Sequence, residues 1–112
     1  MNDGSTVLLG YDGESLACAC QWEPARADDI PQAFFISAIA RDNRYYATDC
    51  ADLLMNEVLR RMRETNAEQG TDYGVYGKVE VGNHATQRWV RRHGFERFET
   101  RDGFEYWSRD LT

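Results

Sequence analysis

Tyr76, Glu80 and His84 fall in one short span and are all able to move a proton. Tyr76 and Glu80 share the polar side of an alternating strand pattern, and His84 opens the helical pattern that follows. A carboxylate near the end of such a strand can act as a general base, and a phenol or imidazole can give or take a proton. Each has a plainer reading as well, Glu80 as a solvated carboxylate and His84 as an exposed ring. Asn83 is suited to cap the helix that His84 begins. Downstream, Arg88, Arg91, Arg92, His93 and Arg97 concentrate positive charge, suiting a phosphate or an acidic partner, or else complementing the negative end of a helix.

A second stretch raises a question of phosphate chemistry. RDNRYYATDCADLLM, residues 41–55, joins an apolar run to a strongly helical pattern. A helix N-terminus presents free N–H donors and about half a positive charge, and glycines commonly line it where a phosphate binds. Here two tyrosines, a cysteine and three aspartates stand instead. Asp49 and Asp52 fall in the first helical turn, where each stabilises the helix by ~0.3–1 kcal/mol while occupying the field a phosphate needs. Arg41 and Arg44 partly offset that charge.

The elements that must position these residues follow from composition and pattern. At 112 residues, 42% hydrophobic and 29% charged, residues 1–112 are expected to form a single globular domain. A net charge of −6 disfavours general nucleic-acid binding, although a local site at the basic helix end would show itself by a steep salt dependence. No apolar run approaches the ~20 residues that span a bilayer, and a cytoplasmic location without membrane contact is expected. Cys18, Cys20 and Cys50 read as buried thiols in a reducing compartment. Cys18 and Cys20 share one strand face and are poorly placed to bridge each other, and no C-x-x-C knuckle supports a metal site.

Thr6–Tyr11, Asp12-Gly13 and Ser15–Trp22 predict an antiparallel hairpin, and Glu23–Gln32, with both prolines, predicts a loop. Ala33–Ala40 is nearly continuously apolar, as for a central strand covered on both faces. Ala51, Leu54, Met55, Val58, Leu59 and Met62 recur at helical spacing, with Gly70 as the stop. Tyr73–Val81 alternates as a strand, His84–Arg92 suits a short helix with Gly94 as its left-handed end, and Phe95–Phe98 and Phe104–Ser108 complete the set. The predicted order is β-β-β-α-β-α-β-β, an α/β (α+β) fold with a mixed, mostly antiparallel sheet and two helices. Parallel neighbours are expected around each helix crossover.

The run from the buried strand through the amphipathic helix to Asn83, the short helix and Gly94-Phe95 resembles the GNAT superfamily of acyl-CoA-dependent N-acyltransferases. The likeness covers roughly residues 5–110 in element order and is closest over Asn83–Phe95. It implies a GNAT-like fold lacking the first strand and first two helices, since Met1–Ser5 alone precede the hairpin. The resemblance implies that two adjacent parallel strands splay apart and that acetyl-CoA lies between Ala33–Ala40 and Tyr73–Val81. Ile39, Ala40, Arg41, Tyr45, Tyr46, Ala47, Thr48, Asp49, Cys50, Asn83, Thr86 and Arg88 would contact it. Glu80, Tyr76 and His84 would be the candidates for proton transfer.

Two departures from the family pattern stand out. Tyr45, Thr48 and Cys50 occupy the loop places where relatives carry Gln or Arg, Gly, and Gly or Ala. Val90 stands where many members carry a tyrosine acid. The resemblance therefore supports two readings: an acetyltransferase acting on a small-molecule or peptide amine, or a non-catalytic interaction module on the same scaffold. In either case a homodimer, or a partner chain, is expected to cover sheet surface left by the short N-terminus.

Overall fold

In the computed structural model, which describes residues 6–24, 33–41 and 49–111, six strands and two helices follow the expected order. β1 (Thr6–Asp12) and β2 (Ser15–Pro24) form the hairpin, turning at Gly13, whose φ of 62° is left-handed and suits glycine. β2 runs further than predicted: Glu23 and Pro24 pair with Phe35 and Phe34 instead of entering a loop. Proline is tolerated there because it is the last residue of the strand. Residues 25–32 of the expected loop lie outside the described residues.

β3 (Ala33–Arg41) is central, as expected, with β2 antiparallel on one side and β4 (Gly74–Glu80) parallel on the other. The sheet order is β1-β2-β3-β4-β6-β5, with β5 at Glu96–Arg101 and β6 at Phe104–Arg109. The expectation of parallel neighbours at both crossovers therefore holds for the first one alone. β6 inserts between β4 and β5 and pairs antiparallel with both. A tight turn at Asp102 and Gly103, both at positive φ, returns the chain into that gap and makes the local hairpin available.

α1 (Cys50–Gln69) connects β3 to β4, and α2 (His84–Arg92) connects β4 to β5. Leu54, Met55, Val58, Leu59 and Met62 of α1 join Val90 of α2 in one core with Cys18, Cys20, Trp22, Phe34, Ile36, Val75, Val79 and Trp107. Burial of each large aliphatic or methionine side chain contributes ~1.5–3 kcal/mol, so this helix face anchors the fold.

The helix ends as predicted at Gly70, with φ 66°, but Asn66 just before it is buried, which its polarity did not suggest. Its amide holds the exit turn. Nδ2 donates to the Tyr73 carbonyl at 3.0 Å, while Oδ1 accepts from the Thr71 hydroxyl at 2.8 Å and the Tyr73 N–H at 3.1 Å. These bonds fix where β4 begins. A buried amide bonded at both its nitrogen and its oxygen is a positional clamp, since losing the partners of either atom leaves a buried polar group unpaired.

The alternation along β4 is also as predicted, with one correction. Tyr76, assigned to the polar face with Lys78 and Glu80, is 4% exposed and stacks on Phe35 at 4.9 Å between ring centroids. The second face of the sheet is thus apolar at its middle and polar toward the end of β4.

Candidate functional site

The site begins where a strand pair ends. β3 and β4 share a parallel register from Ala33↔Gly74 to Ile36↔Gly77 and no further. β3 nevertheless continues to Arg41 against β2, and β4 continues to Glu80 against β6. Each strand keeps its outer neighbour and loses its inner one, so the two diverge. Backbone N–H and C=O groups along the inner edges then face a gap, where a hydrogen-bonding partner can reach them.

The gap is a crevice of about 720 Å³. Ile36, Ser37 and Ile39 of β3 wall one side, and Gly77 through Glu80 of β4 the other. Ala51, Asp52 and Met55 of α1 close one end, and Asn83 through Arg92, with interruptions, bring α2 to its rim. Gly77 sits where the strands part, so the base of the crevice carries no side chain from β4.

Of the predicted residues, the crevice gathers Ile39, Glu80, Asn83, Thr86 and Arg88. Asn83 caps α2, its Oδ1 accepting from the Thr86 N–H at 3.2 Å, so the cap occupies its oxygen and not its amide donors. Gly94, at φ 87°, follows α2 in the left-handed conformation expected of its end. Ala40 and Arg41 belong to β3. Tyr45, Tyr46, Ala47 and Thr48 lie outside the described residues.

Other candidates are placed elsewhere. Tyr76 is packed on Phe35 and does not line the crevice. His84 is exposed on α2, its Nδ1 3.2 Å from Gln87 Oε1, and also stands off the crevice wall. Asp49 and Cys50 border a separate groove between α1 and the β1–β2 hairpin. Asp49 makes no side-chain cap, and the helix opens with the Leu53 N–H bonded to the Asp49 carbonyl at 2.9 Å.

The basic cluster divides into engaged and available charges. Arg92 and His93 Nε2 both meet Asp52 Oδ1, at 2.8 and 2.7 Å, Arg97 pairs with the buried Glu105 at 3.0 Å, and Arg91 lies over the Trp107 ring at 5.3 Å. Arg88 lines the crevice and makes no ion pair among the described residues. The negative charge that Asp52 brings to the helix entrance is therefore met by Arg92, with His93 hydrogen-bonded to the same oxygen. Burial pushes the Asp52 carboxyl up, but hydrogen bonds from His93 and Arg92 more than offset it and hold the group below its ordinary value.

Lys78, Trp89, Phe104 and Trp107 also line the crevice and were not singled out as site residues from sequence. The Trp89 Nε1–H is buried without an acceptor among the described residues. Its position beside Val90 on α2 was visible in the sequence, but the direction of its indole depends on packing against the core and the His93 ring. Val90 itself is buried in that core.

The Asp52 pairing has a pH signature. Its folded-state pKa lies below the ~3.9 of an unfolded aspartate, so its stabilising contribution is complete above that value and lost as pH falls through the folded value. The stability gap between the protein and an Asp52→Asn variant, measured by urea unfolding, is expected to stay wide above pH ~4 and to narrow below it. A gap that does not change across that range would contradict the pairing.

No family model matches the sequence, and no curated protein matches it either. Solved structures do. A GNAT-family protein from Desulfovibrio desulfuricans superposes with a TM-score of 0.80 at 16% identity, over 97% of this chain and 71% of that one. The PaiA N-acetyltransferase of Thermoplasma acidophilum, in complex with coenzyme A, gives 0.79 at 12% identity, over 96% and 61%. The ribosomal-protein-S18-alanine N-acetyltransferase of Escherichia coli gives 0.77 at 12%, over 100% and 72%. The mixed sheet and its two helices are thus a known architecture: the chain has the fold of the GNAT acetyltransferases.

Proposed function

We propose that the protein is an acyl-CoA-dependent N-acyltransferase that moves an acetyl group to a small-molecule or peptide amine. The parting of β3 and β4 carries this reading, because it offers strand-edge hydrogen bonds to an extended, amide-bearing substrate arm. The residues present fit such a substrate. Inner-edge groups of β3 would pair with the arm's amides, the Asn83 amide would donate to it, and Arg88 would meet a phosphate. Asp52, ion-paired with Arg92 and hydrogen-bonded to His93, opposes an anion at the start of α1 less than a lone carboxylate would.

In the transfer, the acceptor nitrogen attacks the thioester carbonyl carbon, and backbone N–H groups of β3 stabilise the oxyanion. Glu80, on the crevice wall and exposed, takes the proton from the attacking nitrogen. The carbon–sulfur bond then breaks and the thiolate leaves, to be protonated from solvent, since Val90 supplies no acid. Acetyl-CoA at 100 times its Kd is expected to add ~2.7 kcal/mol to stability in thermal unfolding, and Glu80→Gln to lower kcat roughly a hundredfold with little change in KM. No thermal shift at millimolar acetyl-CoA would contradict the reading.

A second reading is an interaction module on the same scaffold. The edge strand β1 favours it, with Val7 57%, Leu9 45% and Tyr11 60% exposed. An edge that pairs with no further strand among the described residues and is flanked by apolar side chains favours association. A homodimer, or a partner chain laid along β1, would cover them, and sedimentation at micromolar concentration is expected to show self-association. A monomer throughout would remove the homodimer.

A further inference from the structure

We infer that Cys18 and Cys50 form a reversible dithiol–disulfide pair that staples the start of α1 to strand β2. The two Sγ atoms are 2.7 Å apart although the residues are 32 positions apart in sequence, and all three cysteines are thiols. Sulfurs already in contact need little backbone movement to bond, which is the usual obstacle to a disulfide. The site is built for this approach: Gly10 is the cross-strand partner of Cys18, and a Cβ there would lie 2.7 Å from the Cys18 sulfur. Glycine leaves the room in which Cys18 reaches toward α1.

Access comes from the groove of about 470 Å³ between α1 and the hairpin, which both cysteines line together with Leu8, Tyr11 and Asp49. Cys50 is half-buried and Cys18 buried, so Cys50 meets an incoming reagent first. Cys20 takes no part: burial, with neighbouring Cys18, pushes its thiol up to about 12, and it lies outside the groove.

With an organic disulfide of the glutathione class as oxidant, Cys50 loses its proton to solvent and attacks one sulfur. A mixed disulfide forms and one thiol departs. The deprotonated Cys18 then attacks the Cys50 sulfur, forming the Cys18–Cys50 bond and releasing the second thiol. Two protein thiols are oxidised by two electrons in all, and the organic disulfide is reduced to two thiols. The bond ties the first residue of α1 to β2 and so holds the helix entrance that also borders the crevice. The inference stands whether or not the protein transfers acyl groups.

The test is incubation of the full chain with glutathione disulfide, followed by alkylation and peptide mapping. Cys18 and Cys50 are expected to lose alkylation together and to appear in one joined peptide, with Cys20 still alkylated after unfolding. Cys18→Ser is expected to stop at a mixed disulfide on Cys50, and Cys50→Ser to leave Cys18 reduced. Oxidised wild-type protein is expected to unfold roughly 10 °C higher, reverting with reductant. A persistent mixed disulfide in the wild type, bonds between chains, or an unchanged unfolding midpoint after bridging would each overturn the inference.

Discussion

The organisation of the molecule depends on a single short contact, the parallel pairing of β3 with β4 from Ala33↔Gly74 to Ile36↔Gly77. It joins the β1–β2–β3 half of the sheet to the β4–β6–β5 half. Beyond it each half keeps its own pairing, β2 with β3 to Arg41 across a register shift that skips Ser37, where β3 leaves β4, and β6 with β4 to Glu80. The crevice is what remains between two well-paired ribbons that share one seam. α1 stabilises the seam by burying its apolar face across strands of both halves, and the Asn66 amide sets where β4 enters it.

Electrostatics at the mouth follows from this arrangement. An aspartate in the first turn of α1 would repel an anionic ligand if it stood alone. Facing it across the opening, Arg92 and His93 at the end of α2 bind it, which joins the two helices and leaves Arg88 as an available cation on the wall. Charges that cluster in sequence thus do different work in space. Arg91 stacks on Trp107 and Arg97 holds the buried Glu105, both supporting the sheet and not the opening.

Local signals in the sequence were sufficient for the order of elements, the helical face of α1, its stop at Gly70, and the Asn83 cap. Each of these rests on periodicity or on one residue's conformational preference, which neighbours along the chain determine. Non-local relations were less legible. The insertion of β6 between β4 and β5 comes from hairpin closure at Asp102-Gly103, a contact that periodicity along one strand does not encode. Tyr76 has a polar tip, but cross-strand Phe35 makes its face apolar. Among residues lining the crevice, Glu80 and Asn83 carry local signatures that the sequence displays, whereas Trp89 and Lys78 reach it through tertiary placement.

We propose that the inner edges of β3 and β4 beyond Ile36 and Gly77 receive an extended acyl-CoA arm. Backbone amide hydrogen exchange, with and without saturating coenzyme A, tests it most directly. Slowed exchange over residues 37–41 and 78–80, with the edge strands β1 and β5 unchanged, is the predicted result. Protection confined to other segments, or none at saturation, would contradict the account.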